Sequence, residues 1–290
     1  MKFQIIIVYA ILFSNIFSQL NRSDLSQEQI KLYDEHVFGD QPDNDTVLIR
    51  NGYVISYNND FRIPNWVAYH ITPEYLQTPK RKGKWASYRK DKDLHNAVVS
   101  NDYKFQGYDR GHLAPYAIMG GDRDDDGLLA EDDDYDKLTV YQANYMSNMS
   151  PQHARAINGA GGLWYKLEEW VRDSLVSNYN DIWIYAGTII VESAESEFIG
   201  PDDDIAVPDL FYKMIIKDDG NQFPSVLVFL FPHYRDKEDI NESSIFKYLV
   251  SVDYIESLSG LDFFSSKSPV LQDDNESIID LNSWKKHFNK

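Results

Sequence analysis

The chain has 290 residues, enough for one large domain or two small ones, and its 43% hydrophobic and 14% aromatic content can build a core, so disorder is not the default expectation. It has no cysteine, which excludes disulfides, thiolate catalysis and cysteine-held metals. A net charge of −18 excludes a protein that simply coats nucleic acid, because such binding draws on lysines and arginines meeting phosphates. It leaves room for an enzyme that engages a few phosphates through local cations and a metal.

Lys2 is followed by an apolar run from Phe3 to Phe17 that ends at Ser18. This predicts a signal peptide over residues 1–18, and hence a secreted protein, or one held in a secretory compartment, with no membrane anchor after cleavage. The run is short for a membrane span and is interrupted by Ser14 and Asn15. Residues 19–44 are polar and read as an irregular or loosely helical arm. Residues 45–290 show no repeat and no convincing linker, and read as one catalytic domain.

Within that domain, Val47–Tyr57 is a hairpin signal, two apolar strands joined at Asn51-Gly52. Pro64–Ile71 is a third strand. Lys80–Lys90 is the one basic block, interleaved with Trp85 and Tyr88; a solvated loop is the plain alternative. Next comes Tyr108-Asp109-Arg110-Gly111-His112-Leu113-Ala114-Pro115. Histidine accepts a proton near neutral pH without prior tuning, arginine offers a planar fork for phosphate oxygens, and Gly111 permits a close backbone approach. A turn with a surface histidine is the plain alternative.

An acidic insertion runs from Gly120 to Asp136. Asp122, Asp124 and Asp126, with Gly127 and then Asp133 at the twelfth position, copy the spacing of a calcium-binding loop. A solvated acidic loop stands beside that reading. Lys137–Asn144 is predicted as a strand on Leu138, Val140 and Tyr141. The stretch Asn144-Tyr145-Met146-Ser147-Asn148-Met149-Ser150-Pro151-Gln152 leads to Asn158-Gly159. Gly162–Ser177 then reads as an amphipathic helix, with Leu163, Leu167, Trp170, Val171 and Leu175 at helical spacing. Asp181–Val191, Val207–Lys217 and Pro224–Pro232 are further strands, Ile245–Leu258 a short helical region, and Gly260–Phe264 a terminal core segment.

The two motifs, Asp109–Pro115 and Ser147–Glu168, occur in an order that resembles the DNA/RNA non-specific endonuclease family, the ββα-metal nucleases. The resemblance covers residues 45 to 260. It implies an α+β fold with a central antiparallel sheet, packed helices and a ββα-metal (His-Me finger) active-site element. It also implies hydrolysis of DNA and RNA phosphodiesters without sequence specificity, leaving 5′-phosphates. A homodimer is compatible with it.

By that resemblance His112 is the general base, Asn158 holds Mg2+ (Mn2+ as a substitute) through its side-chain oxygen, and Glu168 keeps the metal's waters in place. Arg110 contacts phosphate, Asn148 lines the site, and Asp109 orients its turn. The family's upstream arginine could be Arg81 or Arg89. One departure stands out. The family places its asparagine four residues before the helix tryptophan and eight before the glutamate, whereas Asn158 precedes Trp164 by six and Glu168 by ten. Either the loop bulges and keeps the ligand, or the metal site is altered. The rival function is a non-catalytic, calcium-dependent binding protein on the same scaffold.

Overall fold

The computed structural model describes residues 22–43, 45, 47–191, 196–240 and 244–287. The leader predicted at 1–18 lies outside them. No helix among the described residues is long and apolar enough to cross a membrane.

The molecule is organised by a seven-stranded antiparallel sheet in the order β1-β2-β3-β6-β9-β10-β11. Its strands are β1 (Val47–Ile49), β2 (Val54–Asn58), β3 (Ile63–Ile71), β6 (Ile182–Ile189), β9 (Leu210–Lys217), β10 (Ser225–Pro232) and β11 (Leu249–Val250). Successive side chains of a strand point to opposite faces, and both faces here are covered. Val67, Tyr69 and Ile71 of β3, with Ile182, Ile184 and Ala186 of β6, pack on one side. Trp66, Ala68 and Tyr185 pack on the other. That is why these strands read as continuous apolar runs rather than as an alternation of apolar and polar residues.

The first face receives helix α3 (Leu163–Trp170), which runs on through a π-helical stretch, Val171–Val176, into α4 (Ser177–Tyr179). Leu163, Trp164, Leu167 and Leu175 are fully buried there, each stabilising by roughly 1.5–3 kcal/mol relative to an exposed side chain. The second face receives α5 (Val252–Ser259) and Phe263 and Phe264 of the terminal segment. It also takes α1 (Gln27–His36), which starts at Ser26 with a capping box. The stretch read as a loose arm therefore supplies a regular helix. It is fastened to β6, where Trp183 Nε1 donates to the Glu35 carbonyl and the Tyr185 hydroxyl to that of Phe38.

Two short pairs lie off the sheet, β4 (Asp109–His112) with β5 (Met149–Gln152) and β7 (Phe198–Ile199) with β8 (Ile205–Ala206). C-terminal to α5 come α6 (Pro269–Asn275) and a 3-10 turn over Asn282–His287.

Two predicted elements differ in kind, the first being the helical region over Ile245–Leu258, which is interrupted by strand β11 at Leu249–Val250 paired with β10. Residues 137–144 are not a strand; they belong to α2 (Asp134–Ala143). Asp133 caps the helix by accepting from the Asp136 N–H. Of the buried residues Asp136, Thr139, Val140, Gln142 and Ala143, three are polar, so an apolar pattern alone does not reveal that face.

Candidate active site

The β4–β5 pair sets His112 opposite Met149 and Asp109 opposite Gln152. Gly111 between them leaves room for the Gln152 side chain, which a Cβ there would approach to 2.1 Å. From β5 the chain makes a π turn, Ala154–Asn158, then a glycine-rich loop, then α3. This strand–strand–helix unit is fastened at its centre by Trp164, whose indole N–H donates to the His112 carbonyl at 3.1 Å.

His112 is 9% exposed. Its Nε2 lies 3.2 Å from Asn144 Oδ1. The Asn144 amide is oriented by donating Nδ2 to the Trp85 carbonyl (3.0 Å) and by accepting from Arg81 Nη2 (3.3 Å). The acceptor facing the imidazole is therefore an oxygen. That assigns the hydrogen to Nε2 and leaves Nδ1 as the basic nitrogen. Burial, reinforced by the Arg81 charge, pushes the His112 pKa down to about 3 from 6.5, and the Asn144 bond opposes this only in part. A lowered value keeps the ring neutral and proton-accepting at every pH above it. The acid limb of log(kcat/KM) is therefore expected below about pH 5, with a flat profile from there to pH 8. A midpoint near 6.5 in that profile would contradict this environment.

The structure separates the two upstream arginines. Arg81 stacks over Tyr88 and Tyr116, with centroid distances of 5.2 and 5.6 Å, and bonds the amide that holds His112. Arg89 turns away, donating to the carbonyls of Ser87 and Lys84 and lying 3.8 Å over the Tyr141 ring. Arg110 donates Nε and Nη2 to the Ser100 carbonyl and lies 5.2 Å from the Tyr88 centroid. Tyr88 thus stands beside both guanidiniums and 6.0 Å from the His112 ring. Two fixed cations near a neutral base suit a phosphodiester.

Asn158 donates Nδ2 to Asp109 Oδ2 at 3.0 Å. Asp109 thereby fixes the amide and leaves Oδ1 as its remaining polar atom, an orientation that fits a divalent cation. One oxygen suffices for Mg2+, which keeps most of its waters. The wider spacing to the helix is taken up locally. A Cβ on Gly162 would lie 2.3 Å from the Ile157 carbonyl oxygen, so the loop folds back tightly on the π turn. Ala160 occupies the position four before Trp164 and eight before Glu168, and has no side-chain donor for a metal.

Glu168 pairs with Lys213 Nζ at 3.3 Å, above the Trp164 ring. Burial raises the Glu168 pKa and lowers that of Lys213, each opposed by the charge of the other. Asn148 does not line open space. It is fully buried, taking a hydrogen bond from Ala114 N–H and donating to the carbonyls of Ala114 and Ala143, so it clamps the chain just after His112. Asp122, Asp124, Asp126 and Asp133 gather in the insertion, apart from these groups.

Sequence reasoning missed Asn144; its only signal is a place four residues before Asn148. His153 is half-buried between Tyr108 and His233, 4.5 Å from each ring. Tyr108 and His153 border a cavity of about 390 Å³ that Arg155 and Arg235 also line.

A family profile described as DNA/RNA non-specific endonuclease matches residues 36–269. Among similar proteins, a nuclease of Nostoc is 31% identical, covering 82% of this chain and 80% of its own. Nuclease C1 of Cunninghamella echinulata is 28% identical (78% and 86%), and the mitochondrial endonuclease G of Caenorhabditis elegans is 28% identical (81% and 71%). A crystal structure of EndoG complexed with EndoGI has the same fold, with a TM-score of 0.64 at 24% identity over 79% of this chain and 89% of that one. The chain belongs to the DNA/RNA non-specific endonuclease family and is a hydrolytic nuclease.

Proposed function

We propose that the chain is an exported, Mg2+-dependent endonuclease that cuts DNA and RNA without sequence preference, with His112 as general base. The observation that carries this reading is the environment of His112: a neutral imidazole, its tautomer set by Asn144, beside the guanidiniums of Arg81 and Arg110. His112 Nδ1 takes the proton from the attacking water. Arg81 and Arg110 hold the phosphate, contacts that read no base edge and so give no sequence preference. Asn158, oriented by Asp109, presents Oδ1 to the cation, and Glu168 orients the water around it. When bound, the cation acts as Lewis acid and template at the departing oxygen. The alternative, a non-catalytic calcium-dependent binding protein, rests on the altered spacing of Asn158 and on the acidic loop, and it expects no nicking in the assay below.

Supercoiled plasmid and a single-stranded RNA, incubated with Mg2+ and then with excess EDTA, test the reading. Nicking of both substrates is expected with Mg2+, and none after chelation. Intact plasmid under both conditions, or cutting of RNA alone, would overturn it. Several relatives are named mitochondrial. Here an apolar run after Lys2, without the arginines of an amphipathic transit peptide, supports export. The same assay on culture medium from cells expressing the full chain checks it, since activity confined to mitochondria would overturn export.

A further inference from the structure

The insertion between the two halves of the site carries a feature that the nuclease chemistry does not use. One carboxylate oxygen from each of Asp122, Asp124 and Asp136 lies within 4.8 Å of the others, and the same holds for Asp124, Asp126 and Asp133. Asp124 belongs to both groups. Asp136 lies outside the twelve-residue spacing, in the first turn of α2, and it is the informative member. It is 1% exposed; its Oδ1 accepts from the Arg123 N–H at 3.0 Å, and its Oδ2 is buried with no partner. A buried carboxylate oxygen with no donor, on a residue grouped with other carboxylates, is costly.

We propose that Asp122, Asp124 and Asp136, with Asp126 and Asp133 completing the shell, form a Ca2+ site separate from the catalytic centre. Carboxylates that bind through one or both oxygens, on an adaptable loop, suit Ca2+ better than Mg2+, which demands a small, regular octahedron. The cation supplies the missing partner of Asp136 and offsets the mutual repulsion of the loop. Its reach is longer than the loop. Arg123 donates to the carbonyls of Ile118 and Gly120 and lies 3.5 Å over Tyr75, so fixing Asp136 fixes this segment as well. The helix that begins beside the site, α2, ends at Asn144, the partner of His112. The acidic group Asp253, Glu256 and Glu276 lacks the loop spacing, and the variants below distinguish it.

The site does not rest on the nuclease reading, and its test needs no turnover. Ca2+ is titrated calorimetrically into the metal-stripped full chain in saturating Mg2+, alongside Asp124→Ala and Asp136→Asn. Each variant is expected to bind one Ca2+ fewer per chain. Ca2+ at about a hundred times its Kd should raise the Tm of the unaltered chain by about 5 °C and leave both variants unmoved. Asp124 is exposed, so its variant reports on the site even if Asp136→Asn folds poorly. An unaltered chain that binds no Ca2+ in the presence of Mg2+, or variants that bind as many ions as it does, would overturn the proposal.

Discussion

His112→Ala is expected to lower kcat for plasmid nicking by about 10²- to 10⁴-fold, the span that a positioned general base contributes, without changing the Mg2+ concentration needed for half-maximal rate. The reason lies in the division of labour around the ring. His112 holds the acceptor nitrogen, while Asn158, on the other side of the β4–π-turn contact, carries the oxygen offered to the cation. Deleting the imidazole removes proton acceptance and leaves the Asn158–Asp109 pair intact. Asn144 keeps its bonds to Trp85 and Arg81, so the loop that carries Arg81 stays in place. Single-turnover rates across an Mg2+ series, with melting curves to confirm folding, provide the check. Activity within threefold of the parent chain would remove His112 from the mechanism.

Asn158→Ala should cost at least about 100-fold in rate at limiting Mg2+, with part of the loss recovered at high concentration. Asp109→Asn should act through the same amide at smaller size. Groups that orient a metal ligand typically contribute 10- to 100-fold in metal affinity, so its half-maximal Mg2+ should rise while the saturated rate stays near that of the parent chain. The pair of results separates a ligand from the residue that positions it. Should Asn158→Ala behave like the parent chain at every Mg2+ concentration, the ligand would have to come from elsewhere. The position that the usual spacing selects, Ala160, has no side-chain donor to take over.

The sequence is readable where a local signal and the final environment coincide. Asn51-Gly52 between two apolar runs gives the β1–β2 hairpin, and the long apolar stretches around Trp183 and Phe229 give two central strands. The helix after Asn158 shows in its apolar spacing, and ends up on the sheet face that it covers. Helix α2 was hidden because it turns polar residues inward. Asp136 and Thr139 are buried for their bonds and packing rather than for their hydropathy, and Leu138, a cue for a strand, is 41% exposed. Site residues divide in the same way. Asp109, Arg110 and His112 lie on one short strand and are visible as a motif. Telling Arg81 from Arg89 needed the tertiary path of the basic block, since both arginines lie beside aromatic rings and only the guanidinium of Arg81 reaches the Asn144 side chain, while Arg89 meets Asn144 through its backbone N–H. Asp136 escaped notice because a fixed twelve-residue template ends three positions before it.

The bond from the Trp164 indole to the His112 carbonyl has a bearing on speed. With its peptide tied to α3 and its ring tied to Asn144, the imidazole has no free rotor left when a nucleic acid strand docks. Immobilising such a side chain costs roughly 1 kcal/mol, and here that cost falls on folding, once, instead of on every encounter. In the proposed mechanism, binding energy that would otherwise order the imidazole stays available for the reaction itself.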